Sequence, residues 1–87
     1  MFEVTILTPQ QTIFTNRVQS LVVPAYDGYL GIMTGHAPLI CLLKKGRITA
    51  RADDQTFQFS TSGGLMEVLA NKVSILADSA DSITTIT

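Results

Sequence analysis

The sequence contains one histidine, His36, and one cysteine, Cys41, the two side chains best suited to nucleophilic chemistry. A thiolate in contact with an imidazole can form a catalytic pair. Here no third group stands ready to orient the imidazole, and two such ligands are too few for a zinc site. Cys41 also lies inside the apolar run Leu39–Leu43, where a thiol is expected to be inert. We therefore interpret Cys41 as a packing residue beside a loop histidine.

The carboxylates and glycines also lack the setting that catalysis or cofactor binding requires. Asp53 and Asp54 are neighbours at an expected hairpin tip, which is ordinary turn chemistry. Asp78 and Asp81 lack the additional oxygen ligands that calcium takes. No helix is expected after Gly63-Gly64, so a phosphate-binding loop is excluded and a bulge or corner is favoured. We expect a non-catalytic protein with no cofactor and no metal.

The basic residues cluster around one expected hairpin and comprise Lys44, Lys45, Arg47 and Arg51. They could form a docking patch for an acidic partner, or a solvated strand face that protects a sheet edge. The sequence leaves both interpretations open. No aromatic residues interleave with these charges, and the formal net charge is −1, so we expect no nucleic-acid partner.

Length and composition predict one small globular domain over residues 1–87. The chain has 87 residues, of which 46% are hydrophobic and 15% charged, a balance typical of a packed domain. A single cysteine excludes an internal disulfide. No apolar run approaches the roughly 20 residues of a membrane helix. We therefore expect no direct membrane insertion, and any membrane association would come through a partner.

Alternating apolar and polar residues dominate the sequence and predict an all-β fold. Phe2, Val4 and Ile6 alternate with other residues at the start, and Ile48, Ala50 and Ala52 do so later. About nine or ten short strands follow one another with turn residues between them, which is typical of a β-sandwich or barrel. The tail, residues 79–87, could be an edge strand or a frayed end.

The segment from 28 to 39 does not read as a routine strand and turn. Three glycines, Gly28, Gly31 and Gly35, permit unusual backbone conformations or close approach. Apolar residues lie between them, and in a short strand some must face outward. Outward aromatic and Met side chains on a domain rim are typical of an interface.

The same segment resembles a known family. Gly28-x-x-Gly31-Ile32 followed by Gly35-His36-Ala37-Pro38-Leu39 is similar to the signature loop of the epsilon subunit of F-type ATP synthases, called delta in mitochondria. The other matching runs, in the family's order, are Leu7-Thr8-Pro9, Lys45-Gly46, Ser62-Gly63-Gly64-Leu65-x-Glu67-Val68 and Val73-x-Ile75-Leu76-Ala77-Asp78. The similarity extends from about Phe2 to Asp81.

The resemblance implies a ten-stranded β-sandwich of two five-stranded sheets in the central rotor. It implies two partners, the membrane c-ring and the gamma subunit, which the domain joins without performing chemistry. The implied ring contact comprises Asp27, Gly28, Tyr29, Leu30, Gly31, Ile32 and Met33. The implied gamma contact comprises His36, Pro38, Ile40, Leu42 and Asp78. It also implies a peripheral position on the cytoplasmic face of a bacterial inner membrane, with the stromal face of a plastid thylakoid as the alternative.

The sequence departs from the family pattern in three places. Many members carry an acidic residue where this chain has Tyr29. In this chain, an aromatic contact with the c-ring would therefore replace an ionic one. Thr34 stands where proline is common, which loosens the loop slightly. The C-terminal helical hairpin that carries ATP sensing and inhibition in the family is absent, so we expect coupling without that regulation. The alternative function is a generic β-sandwich module that binds protein or carbohydrate, although the chain has no Trp and two Tyr.

Overall fold

The computed structural model describes the backbone of residues 1–86 and the side chains of residues 1–83. The eight strands are β1 (Phe2–Leu7), β2 (Thr12–Val18), β3 (Ser20–Ala25), β4 (Gly28–Met33), β5 (Leu39–Leu43), β6 (Gly46–Ala52), β7 (Gln55–Leu69) and β8 (Lys72–Ile86). The described residues contain no helix, and therefore none that is long and apolar enough to cross a membrane. The predicted all-β class is confirmed.

The period-2 sequence pattern is directly visible in which side chains are buried. In β1, Phe2, Val4 and Ile6 are buried and the residues between them are partly exposed. In β6, Ile48, Ala50 and Ala52 are buried in the same alternating way. Successive strand residues point to opposite faces, so this spacing turns one apolar face of each strand toward the core.

The strands form one continuous hydrogen-bonded sheet in the order β2-β1-β8-β7-β5-β3-β4, and β6 pairs with both β3 and β7. All pairings are antiparallel except that of β1 with β8. The long strand β7 pairs with β6 through residues 55–61 and with β5 through residues 64–68. Because β8 follows β7 along both parts, these two strands connect the two regions of the sheet.

The two regions meet at a joint around Gly63 and Gly64. The β7–β8 register shifts between Thr61 and Gly63 and again between Gly63 and Gly64. The buried Thr61 hydroxyl donates to the Ser79 carbonyl at 3.0 Å and accepts the Gly63 N–H at 3.1 Å. These bonds satisfy polar groups that the shifted ladder leaves unpaired. Of the two alternatives expected at Gly63-Gly64, a bulge or a corner, the structure shows register shifts typical of a bulge.

The strand count differs from the one implied by the family resemblance. The structure has eight strands in one hydrogen-bonded network, where ten strands in two five-stranded sheets were expected. The alternating sequence pattern predicts one strand that ends at Thr61 and another that begins at Leu65, with Ser62-Gly63-Gly64 between them. The two glycines instead let β7 bulge and continue, because they adopt backbone angles that side chains disfavour.

All eight strands contribute to a single apolar core. The buried cluster consists of Phe2, Val4, Ile6, Val18, Leu21, Val23, Ile32, Leu43, Ile48, Ala50, Ala52, Phe59, Met66, Val68, Val73, Ile75, Ala77 and Ala80. The Phe14 ring of β2 lies 5.1 Å from the Phe57 ring and 5.1 Å from the Phe59 ring, measured between centroids. Since β2 and β7 are not neighbours in the sheet, the sheet folds over the core, as in a β-sandwich.

The C-terminal residues continue β8 as far as Ile86. Their partners lie on the first part of β7, from Ser79 opposite Gly63 to Ile86 opposite Thr56. This pairing corresponds to the edge-strand alternative for residues 79–86. Thr87, the last residue of the predicted tail, lies outside the described residues.

We predict that Gly64→Ala destabilises the fold. A Cβ atom at Gly64 would collide with the Leu76 carbonyl oxygen and lie 2.8 Å from the Ala77 Cα, both on the backbone of β8. Because backbone cannot move aside cheaply, we expect the free energy of unfolding to fall by about 1–3 kcal/mol or more in urea denaturation. Gly31→Ala is the matched control, since no atom lies within 4 Å of its added Cβ. An unchanged midpoint for Gly64→Ala would contradict this account of the joint.

Candidate functional site

The side chains considered for chemistry do not converge. The His36 imidazole Nδ1 lies 2.7 Å from the adjacent Ala37 carbonyl, and its backbone N–H donates to the Met33 carbonyl at 3.1 Å. Cys41 is half-buried against the core. Within residues 1–86, no three His, Cys, Asp or Glu side chains are grouped to hold a metal ion. The surfaces of the fold, rather than a reactive cluster, are therefore the candidate functional features.

The first surface is the rim, residues 27–33, which comprises the turn residue Asp27 and the whole of β4. The hairpin turns through Tyr26 and Asp27, and Gly28 follows with a φ of 133°, a value that glycine adopts readily. Tyr29 and Met33 point outward and are 61% and 62% exposed. The expectation that some apolar groups of this segment face outward therefore holds for these two side chains.

Two residues of the rim point the other way. Ile32 is 1% exposed and belongs to the buried cluster, and Leu30 packs against that cluster. Both had been placed in the ring contact by position in the family motif. Their side chains support the rim from inside, because residues on a strand alternate between the two faces. The exposed part of the rim consists of Asp27, Tyr29, Gly31 and Met33.

Tyr29 also has a structural contact that the sequence did not reveal. It lies opposite Pro24 on β3, and its hydroxyl accepts the Arg47 backbone N–H at 3.1 Å. A Cβ atom on Gly46 would lie 2.9 Å from this hydroxyl and 2.6 Å from the Pro24 Cβ. Gly46 thus leaves the space through which Tyr29 reaches β6. The side chain ties the rim to the sheet while leaving most of the ring exposed.

The second surface, which we call the β5 face, is the outward side of β5, β7, β8 and β1. Leu42 pairs with Leu65, Leu65 with Leu76, and Leu76 with Leu7, so four leucines form a row across four strands. Leu42 is 61% exposed and Leu76 52%. Ile40, 66% exposed, lies beside this row on β5 and opposite Glu67. Such a row of exposed aliphatic side chains is typical of a protein–protein contact.

Sequence reasoning identified Ile40 and Leu42 of this face but missed Leu7, Leu65 and Leu76. Each of the three lies on the outward side of an alternating strand, which is the only local signal they carry. Their alignment depends on the register of β5, β7, β8 and β1, and no local sequence pattern encodes it.

The three other residues implied for gamma binding lie around the β5 face. His36 and Pro38 belong to the segment between β4 and β5, where Asn71 Oδ1 accepts the Gly35 N–H at 2.9 Å. Asp78 is exposed on β8, close to the joint, and lines an open hollow together with Tyr26 and Leu42. The structure therefore brings Asp78 toward the hairpin tip, although it is far from it in sequence.

The basic residues divide between a turn and a strand. Lys44 and Lys45 are exposed where β5 leads into β6, while Arg47 and Arg51 are exposed on β6. Arg47 lines a shallow groove of about 540 Å³ with Tyr29, Thr49 and Gln58 among its other lining residues. All four side chains are exposed, which fits a docking patch and a solvated strand face equally.

The chain matches a known protein family over almost its whole length. The family model described as the β-sandwich domain of the ATP synthase delta/epsilon chain matches residues 1–83. The chain belongs to the ATP synthase delta/epsilon family. The family prediction made from the 28–39 segment is therefore confirmed.

Individual members of the delta/epsilon family match over most of this chain. An ATP synthase epsilon chain from Pelotomaculum thermopropionicum is 42% identical over 76 residues, which cover 87% of this chain and 57% of that relative. Another, from Chlorobium limicola, is 38% identical over 78 residues, which cover 88% and 89% of the two chains. The chain thus spans less than two-thirds of the first relative and most of the second.

Among solved structures, a chain in the cryo-EM structure of the Euglena gracilis mitochondrial ATP synthase, OSCP/F1/c-ring, matches with a TM-score of 0.85. The identity is 21%, and the match covers 91% of this chain and 51% of that chain. At this identity the likeness shows a shared fold.

We predict that Cys41 reacts slowly with alkylating agents. Burial raises the pKa of its thiol above the ordinary value, because the thiolate loses hydration. At a given pH below that pKa, the folded protein therefore holds less thiolate than free cysteine does. Iodoacetamide should label native Cys41 more slowly than N-acetylcysteine at neutral pH, with the rise in rate displaced to higher pH. Unfolding in urea should raise the labelling rate of Cys41 to that of N-acetylcysteine. If native Cys41 is labelled as fast as N-acetylcysteine, the raised thiol pKa is wrong.

Proposed function

We propose that this chain is a non-catalytic subunit of the central rotor of a proton-translocating F-type ATP synthase. It joins the gamma subunit to the c-ring, so that proton flow is coupled to ATP synthesis. The observation that carries the proposal is the presence of two exposed apolar surfaces, the rim and the β5 face, on one small folded body. They meet at the hairpin tip, where the Tyr26 N–H donates to the Leu42 carbonyl at 3.1 Å.

The β5 face is the proposed contact with gamma. Its leucine row, with Ile40 beside it, offers an apolar centre for a subunit interface, while Glu67 and Asp78 lie at polar positions around it. This arrangement of an apolar centre within a polar surround is common in protein interfaces. His36 and Pro38 lie just before the start of β5 and extend the contact. The names of the matching relatives, ATP synthase epsilon chains, support a place for this chain in that enzyme.

The rim is the proposed contact with the c-ring. Asp27, Gly28, Tyr29, Gly31 and Met33 form the contacting surface, while Leu30 and Ile32 hold it in place from the core side. Asp27 is its one charged side chain, so the contact is mainly apolar and aromatic. The matched structure contains F1 and a c-ring, which supports a place for this fold at that junction.

The continuous strands β7 and β8 make the two contacts mechanically dependent on each other. We propose that the parts of these strands on either side of the joint act as separate strands, giving ten strands in two five-stranded layers. A rigid body held at two places retains each contact through the other at high effective concentration. Torque would therefore pass between gamma and the ring without slip. This role places the chain peripherally at the membrane, on the cytoplasmic face if the source is bacterial.

Leu42→Asp and Leu76→Asp test the proposed gamma contact. Each places a charge in the leucine row, and we expect binding to isolated gamma to weaken at least about tenfold, or about 1.4 kcal/mol. Calorimetric titration of gamma with each variant measures the change. Ser60→Asp, on the outward side of the other layer, is the matched control and should bind as the wild type does. The proposal is wrong if the wild-type chain does not bind gamma at micromolar concentration. It is also wrong if Leu42→Asp binds gamma as tightly as the wild type does.

Tyr29→Asp and Met33→Asp test the rim within the assembled enzyme. We expect ATP-driven proton pumping in reconstituted vesicles to decrease while ATP hydrolysis continues, because a weakened ring contact permits slip. Fold is checked by circular dichroism, since Tyr29 also accepts the Arg47 N–H. Gln55→Asp, at the start of β7 beside the Asp53-Asp54 turn and outside both surfaces, is the control and should pump normally. Unchanged pumping in both rim variants would show that the rim does not contact the ring.

A further inference from the structure

The strand β4 ends the sheet, and its outer edge has no strand beside it within residues 1–86. It pairs through residues 28–33 with β3 on its other side. Any edge strand presents unpaired backbone N–H and C=O groups to solvent and can template pairing with another chain. What this edge can pair with depends on which backbone N–H and C=O groups face outward and on whether charged side chains or prolines prevent pairing.

The register with β3 determines which groups face outward. Antiparallel ladders alternate between hydrogen-bonded and non-hydrogen-bonded pairs. Tyr29 lies opposite Pro24, which has no N–H to donate, so this pair is a non-hydrogen-bonded one. The backbone groups of Tyr29, Gly31 and Met33 therefore point away from β3 toward the open edge. The Met33 carbonyl already accepts the His36 N–H, and the others are directed outward.

The β4 edge also lacks the features that usually prevent strand pairing. Native edges are commonly protected by charged side chains, prolines or bulges. The six residues of β4, Gly-Tyr-Leu-Gly-Ile-Met, include neither a charge nor a proline, and the β3–β4 register is regular throughout. By contrast, β2 at the other end of the sheet carries the exposed Arg17.

We propose that two copies of this chain pair edge to edge through β4, antiparallel about a twofold axis at Gly31. The sequence of β4 is self-complementary in this register. Tyr29 of each copy lies opposite Met33 of the other on the outward side, where the Met33 side chain can pack beside the Tyr29 ring while the Tyr29 hydroxyl stays bonded to Arg47. Leu30 faces Ile32 on the core side, so the apolar layer continues across the junction. Gly31 faces Gly31 at the axis, as a pair whose backbone N–H and C=O groups both point toward the open edge.

This dimer would use the same edge as the rim, so pairing between copies and contact with a c-ring exclude each other. Unassembled copies would cover their apolar rims against each other and separate on assembly. The pairing depends on β4 alone and stands independently of the proposed rotor function. Twofold contacts of this isologous type are the commonest arrangement in homodimers.

Sedimentation velocity of the full chain tests the proposal. We expect the mass to rise from 9.4 kDa toward twice that value as the concentration increases from micromolar to millimolar. Gly31→Lys places two like charges side by side at the axis and should abolish the association, although the monomer has room for the side chain. Ile40→Lys, which places the same charge on the β5 face, should associate as the wild type does. Circular dichroism confirms that each variant is folded.

A disulfide tests the register. In Gly31→Cys with Cys41→Ser, the two introduced thiols would face each other across the axis. The Cα separation in a hydrogen-bonded pair is about 5.5 Å, within the range that a disulfide spans. Mild oxidation should therefore yield a cross-linked dimer, whereas Thr15→Cys with Cys41→Ser should yield little. A wild-type chain that stays at 9.4 kDa at millimolar concentration, or a Gly31→Lys variant that associates equally, would overturn the proposal.

Discussion

The close approach of β7 to β8 at Gly64 is the contact on which the rest of the fold depends. A side chain at this position would collide with the Leu76 carbonyl, so the strands can run this close only because the residue is glycine. The two register shifts beside Gly63 bend the β7–β8 pair without breaking it. Thr61 then satisfies the backbone groups that the bend leaves unpaired. One hydrogen-bonded ribbon thereby serves both regions of the sheet.

The position of the two surfaces follows from this bend. Beyond the joint, β7 pairs with β5 and β8 pairs with β1, which aligns the four leucines of the β5 face. Before the joint, β7 pairs with β6, which pairs with β3 and so carries the β3–β4 hairpin. The hairpin tip returns to β5 through the bond from Tyr26 to Leu42. The rim and the β5 face are thus neighbours, although they belong to different regions of the sheet.

Tyr29 shows how one residue can support the fold and still provide a surface. Its hydroxyl is fixed by Arg47, and its ring remains largely exposed above Pro24 and Gly46. A contact that relies on Tyr29 would therefore involve a side chain that is already ordered, which lowers the entropy lost on binding. The uncharged strand around it gives the rim its apolar character and leaves its backbone edge open to a second strand.

The sequence by itself determined the all-β class, the turn at Asp53-Asp54, an irregularity at Gly63-Gly64 and the family. These features are local: alternation, turn residues and glycines act on the nearest few positions. Only the tertiary structure decided that Gly63-Gly64 continues a strand, that Ile32 points inward and that Leu7, Leu65 and Leu76 join Leu42 in one row. Each of these depends on register between strands distant in sequence, and shifting register by one residue exchanges the two faces of a strand. Local pattern therefore specifies which residues alternate, while long-range pairing specifies which of them meet.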